Sequence, residues 1–157
     1  MSQAVQDVSP VVQTMDIEAS PERVFSLWTE PEELVRWWPE AAVFEPRVGG
    51  KVRLEFKQGN VTGEVTRFEP PNAVGFTWVR NDFPEYPTQV DVSITDLGGG
   101  RSRIELVHSG WDALPEDYVP EWKAMHNAGW QHFLSVLDDL VAGRSVDKEF
   151  GAMPEKG

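Results

Sequence analysis

Cysteine is missing from all 157 positions of the chain. Its absence excludes disulfides, thiolate nucleophiles and cysteine-ligated metals, and agrees with a cytoplasmic location. Cationic residues are scarce: 14 Lys and Arg stand against 26 Asp and Glu, a formal net charge of −12. Such a surface repels phosphate backbones and anionic headgroups, so no nucleic acid or membrane partner is expected. No apolar run approaches the roughly 18 residues that mark a spanning helix. The opening stretch MSQAVQDVSP has neither a basic residue nor an apolar core, so it does not read as a secretory signal. It has no period either, and residues 1–10 are expected to form a disordered tail. Neither HExxH nor an acidic calcium loop occurs, and Gly98-Gly99-Gly100 links two strand patterns instead of preceding a helix. No metal and no cofactor are therefore expected. Ser109-Gly110 lacks the flanking glycines of a nucleophile elbow.

Tryptophan, by contrast, is abundant, with seven residues beside eight Phe and two Tyr. Such rings either pack a core or wall an apolar pocket. With 40% hydrophobic and 25% charged residues, the chain suits one globular domain, placed at 11–143, followed by a tail at 144–157.

The clearest period runs from Glu121 to Gly143. Trp122, Met125, Gly129, Phe133, Val136, Leu137 and Leu140 recur at steps of three and four, with Lys123, Asn127, Gln131, Ser135, Asp138 and Asp139 opposite. That is an amphipathic helix, opened near Pro120 and closed by Gly143 with Arg144 beyond it. Ahead of it, Val11–Ala19 reads as a strand. Ser20-Pro21-Glu22 starts a short helix, and Thr29 with Glu32 forms the capping box of a second. Ala42–Pro46 is a weak strand. Alternation then marks strands through Val52–Phe56, Val61–Glu69, Val74–Arg80, Val90–Ile94 and Ile104–His108. Connections this short favour antiparallel neighbours. The expected fold is α+β: a curved antiparallel sheet of about seven strands around a long C-terminal helix, with two short helices after the first strand.

The runs IEASPERVFSLWTEPEELVRWW, GGKVRLEF, GEVTRFEPPNAVGFTW, RSRIELVHSGW and NAGWQHFLSVLDDL, in that order, span about residues 12–142. Together they resemble the activator-of-heat-shock-ATPase-like branch of the START and birch-pollen-allergen-like superfamily, the helix-grip proteins also called polyketide cyclase/dehydrase and lipid-transport proteins. Trp37-Trp38-Pro39 departs from the pattern, since relatives commonly follow a Trp with a small or glycine-containing turn. The resemblance implies the helix-grip fold, and it extends to ligand transport, cyclisation and co-chaperone roles linked to stress responses. It also implies a homodimer. Fold alone does not choose among such roles.

The site must choose. His108 continues the inward face of Ile104 and Leu106, either as a satisfied core group or as a polar handle able to act as acid or base. His126 lies at the border of the helix stripe and reaches the same space. Trp38, Phe56, Trp78, Trp111, Met125 and Trp130 are expected to wall a cavity between sheet and helix, with Gly129 leaving it room. Glu64 reads as a solvated residue and Asp82 as a loop carboxylate. Three functions follow: binding of a small hydrophobic or aromatic molecule, lipid-like or polyketide-like; a cyclase, dehydrase or hydrolase using His108; or a co-chaperone-like module with a protein partner.

Overall fold

Side-chain alternation sets the architecture, because each strand must bury one face and expose the other. The computed structural model describes residues 7–149. Seven strands form one antiparallel sheet: β1 (Val11–Ile17), β2 (Ala41–Phe44), β3 (Lys51–Phe56), β4 (Gly59–Glu69), β5 (Ala73–Arg80), β6 (Thr88–Gly98) and β7 (Arg101–Ser109). Their spatial order is β1-β7-β6-β5-β4-β3-β2, so the first strand closes against the last. On β6 the inward residues are Thr88, Val90, Val92 and Ile94, and on β7 they are Ser102, Ile104, Leu106 and His108. The expected fold class is the one observed.

Two short helices, α1 (Pro21–Thr29) and α2 (Pro31–Leu34), follow β1, and the long helix α3 (Val119–Val141) ends the domain. The Ser20 hydroxyl accepts from the Arg23 amide at 3.2 Å, as its N-cap position requires. The capping box expected from Thr29 and Glu32 does not form. Thr29 is the last residue of α1 and donates to the Phe25 carbonyl at 2.8 Å, while α2 starts from Glu30 without a side-chain cap. Two 3₁₀ turns, Trp111–Ala113 and Glu116–Tyr118, lead into α3, which begins two residues earlier than the sequence pattern indicates.

The end of α3 matches expectation. Gly143 adopts φ 76°, its amide bonds the Leu140 carbonyl, and the Arg144 amide reaches Asp139. This is a Schellman closure. The Arg144 guanidinium then pairs with Asp138 and Asp139. The buried stripe, however, consists of Val119, Trp122, Met125, His126, Trp130, Leu134, Val136 and Leu137. Gly129 and Phe133 lie at its half-buried edge, and His126 belongs inside it rather than at its border.

The expected tails divide. Residues 1–6 and 150–157 lie outside the described residues. Residues 7–10 are exposed, yet Lys123 Nζ donates to the Asp7 carbonyl. Residues 144–149 are irregular but anchored, as the site below makes plain.

Gly63 is a packing requirement of β4. A Cβ there would stand 1.9 Å from the Thr77 carbonyl oxygen of β5. Gly63→Ala is therefore expected to destabilise the fold by about 2 kcal/mol or more, through forced separation of the two strands. Urea unfolding of the two proteins measures it; an unchanged midpoint would show that β4 and β5 can part without cost.

Candidate functional site

The short helices and the turn after them deliver three indoles to the inner face of the sheet. Trp28 leaves α1, and Trp37 and Trp38 follow α2. Trp28 and Trp37 meet edge-on with centroids 4.8 Å apart, and Trp37 stacks on Trp38 at 5.3 Å. Trp38 stacks in turn on Trp78 of β5 at 5.9 Å and meets Trp130 of α3 at 5.1 Å. Offset and edge-on pairs of this kind add roughly 0.5–1.5 kcal/mol each to simple burial.

Beside these rings, two histidines organise a chain of buried hydrogen bonds. Trp130 Nε1 donates to His108 Nδ1 at 3.0 Å. An indole can only donate, so Nδ1 is unprotonated and the neutral imidazole carries its proton on Nε2. That N–H points at Thr88 Oγ1, 2.7 Å away, and the Thr88 hydroxyl donates onward to the Trp78 carbonyl at 3.3 Å. His126 follows the same logic. Trp78 Nε1 donates to its Nε2 at 3.2 Å, leaving Nδ1–H to donate to the Trp122 carbonyl at 2.7 Å. Trp111 Nε1 donates to the His108 carbonyl at 2.9 Å.

Both imidazoles are held neutral. Burial drives the His108 pKa well below 6.5, and a charge on His126 would lower it further. Burial lowers His126 from 6.5 to about 4; its bond to the Trp122 carbonyl works the other way, and the Arg80 cation adds to the depression. Protonation would also set an N–H against the indole N–H already pointing there.

At the margin of this cluster lies a cavity of about 250 Å³. Trp38, Phe56 from the end of β3 and Phe133 of α3 supply its aromatic wall, and Lys57 and Gln58 of the β3–β4 turn supply part of its rim. The segment Val146–Glu149 completes the lining together with Glu40. Lys148 Nζ donates to the Val35 and Pro39 carbonyls at 2.8 and 3.1 Å and pairs with Glu40 at 3.2 Å. Lys57 pairs with Glu149, whose hydrogen bond and charge hold the Lys57 ammonium above its usual range.

The nine residues singled out in the sequence thus separate. Trp38 and Phe56 line the cavity. Trp78, His108, Trp111, His126 and Trp130 form the hydrogen-bonded cluster, Met125 is buried, and Gly129 is half-buried one position before Trp130. The gap expected beneath the indoles is occupied by the indoles themselves, because Trp38, Trp78 and Trp130 are in mutual contact. Glu64 is exposed as expected, and Asp82 pairs with Arg80 at 2.7 Å. Thr88 went unmarked, although it sits two residues before Val90 on the inward face. Phe133 was visible as a stripe residue. Nothing in the sequence pattern pointed to Glu40, Lys57 or Lys148. Among the described residues no group of three His, Asp or Glu side chains could hold a metal, and no helix is long and apolar enough to cross a membrane.

A family model described as activator of Hsp90 ATPase homolog 1-like protein matches residues 18–142. The chain belongs to this family. Its fold recurs in solved structures, including a protein from Mesorhizobium loti with TM-score 0.75 and 22% identity, covering 87% of this chain and 99% of that one. The Aha1 dimer from Colwellia psychrerythraea aligns with TM-score 0.71 and 23% identity over 84% of this chain and 95% of its own. An HSP90 activator from Plasmodium falciparum aligns with TM-score 0.70 and 24% identity over 87% and 98%. No curated protein sequence matches the chain. The fold is shared with these structures, and what this site can do depends on its own rings and charges.

The histidine cluster makes stability pH-dependent. Each imidazole takes up a proton more readily unfolded than folded, so stability is complete above about pH 6.5 and is lost as the pH falls from there toward 4. For His126 alone the depression from 6.5 to about 4 corresponds to about 3 kcal/mol. The exposed Asp16 and Glu69 carboxylates, held low by hydrogen bonds from Arg103 and Arg67, contribute only at still lower pH. Urea midpoints between pH 7.5 and 4.5 separate the two ranges, and a flat profile above pH 5 would contradict the neutral assignment. Thr88→Val leaves the His108 Nε2–H without an acceptor and is expected to cost about 1–3 kcal/mol.

Proposed function

We propose that this protein binds a compact aromatic molecule in the cavity between Trp38, Phe56 and Phe133. The observation that carries the reading is the lining itself: three aromatic rings on one side and paired Lys and Glu side chains on the other. Apolar walls with a few oriented polar groups are what small-molecule sites present. At about 250 Å³ the space falls just below the roughly 300–1,000 Å³ of pockets for drug-sized ligands. It suits one or two rings better than a long acyl chain, which would need the room that Trp78 and Trp130 fill.

The enzymatic reading draws no support from His108. The residue is fully buried, and both its ring nitrogens are engaged by Trp130 and Thr88. A partner-binding role rests on the relatives, one described as a dimer and one as an HSP90 activator. Among the described residues the exposed valines Val8 and Val12 lie before and on β1, and Val43 and Val48 lie on and after β2, at the two opposite edges of the sheet.

Trp38 is the one tryptophan among the lining residues, so it reports occupancy. Neutral aromatics such as 2-phenylethanol and small flavonoids are expected to change tryptophan emission saturably. Trp38→Phe should abolish most of that change while calorimetry still detects binding. If none of these compounds alters emission, heat or amide chemical shifts in the natural chain, the cavity is not a ligand site.

A further inference from the structure

The contacts of Lys148 specify more than an anchor. Its ammonium carries three donors and no acceptor. It finds three acceptors: the Val35 carbonyl at 2.8 Å, the Pro39 carbonyl at 3.1 Å and the Glu40 carboxylate at 3.2 Å. Both carbonyls belong to the turn that carries the chain from α2 to β2. Val35 is the C-cap residue of α2, a position whose carbonyl has no intrahelical partner. These oxygens form a nest fitted to a primary ammonium, and the nest is filled by an ammonium from the chain's own C-terminal segment.

Glu40 and Lys148 also line the cavity, beside Trp38. An ammonium in the nest and a ring against Trp38, Phe56 and Phe133 therefore occupy adjoining parts of one space. Three further facts favour a cation there. The faces of the lining rings attract positive charge. Among the lining residues the carboxylates Glu40, Asp147 and Glu149 outnumber the ammoniums of Lys57 and Lys148. The chain as a whole carries a net charge of −12, which raises the local concentration of cations. An organic anion would meet the opposite field and would have to displace Glu149 from Lys57.

We propose that the cavity takes an aromatic primary amine. Its ammonium replaces that of Lys148 on Val35, Pro39 and Glu40, and its ring lies against Trp38, Phe56 and Phe133. Lys148 is then a tethered stand-in for the ligand's charged end, and binding lifts the segment Val146–Glu149 from the rim. This rests on the cavity being a ligand site, and it adds the charge of the ligand and the residue that competes with it. The side chain of Lys148 is 27% exposed, so the nest is accessible to solvent once the lysine moves.

Three compounds of one shape and different charge test it: 2-phenylethylamine, 2-phenylethanol and 3-phenylpropionate. Each is titrated against the full chain by tryptophan emission and calorimetry, in the natural protein, Lys148→Met and Glu40→Gln. The amine is expected to bind most tightly to the natural protein and the carboxylate least. Lys148→Met should tighten the amine about tenfold, because a tethered competitor acts at an effective concentration in the millimolar range, and should leave the alcohol nearly unchanged. Glu40→Gln should weaken the amine severalfold while leaving the alcohol nearly unchanged, the Val35 and Pro39 carbonyls retaining part of the preference. An amine no tighter than the alcohol in both the natural and the Lys148→Met proteins overturns the inference and leaves the cavity reading intact. Failure of all three compounds to bind either protein overturns both. Should Lys148→Met prove unfolded at the assay temperature, the comparison of Glu40→Gln with the natural chain decides alone: a preference for the amine over the alcohol undiminished by loss of the carboxylate overturns the inference.

Discussion

A buried indole N–H must find an acceptor, and the interior of this protein is arranged around that need. Trp78 and Trp130 donate to ring nitrogens of His126 and His108, and Trp111 and Trp37 donate to the backbone carbonyls of His108 and Leu27. An unpaired buried donor costs about 1–3 kcal/mol, comparable to the whole effect of a damaging substitution. The imidazoles serve only because they are neutral, each with one nitrogen bare. Trp28 Nε1 is the exception, fully buried with no hydrogen-bond partner among the described residues. Its contacts with Trp37, Trp38 and Trp130 offset that loss.

This arrangement decides where function can reside. Hydrogen bonds from Trp130 to His108 and from Trp78 to His126 join α3 to β7 and β5 across the sheet, so the centre is committed to structure. Space remains at the margin, where the β3–β4 turn, α3 and the anchored segment Val146–Glu149 come together. A shared fold therefore says little about which chemistry a given member performs. The larger side chains of Trp37-Trp38-Pro39 help fill what a smaller turn would leave open.

Much of the fold was legible because its signals are local. Alternation placed Val90, Val92 and Ile94 on one face, Ser20-Pro21 marked a helix start, and Gly143 marked a helix end. The errors arose where a residue's role depends on distant partners. The helical period counts histidine as polar and puts His126 at the stripe's border, yet the bond it accepts from Trp78 and the one it donates to the Trp122 carbonyl let it sit in the core. Thr29 has the spacing of a cap, but its hydroxyl is used by the Phe25 carbonyl behind it. Of the site, the ring residues could be enumerated but not their mutual contacts, since spacing along a strand does not reveal whether two rings touch. Lys148 gave no signal, because its meaning comes from carbonyls more than a hundred positions earlier.

The strand order carries a last consequence. β1 pairs with β7, with Val11 opposite His108, so the sheet joins the start of the domain to a strand that emerges late. Neither that closure nor the docking of α3 can occur until the strands between β1 and β7 have been made. Contacts of such long sequence separation make for slow folding. During the delay the early tryptophans have only one another for shelter, and the nascent chain is at its most adhesive just before its final helix arrives.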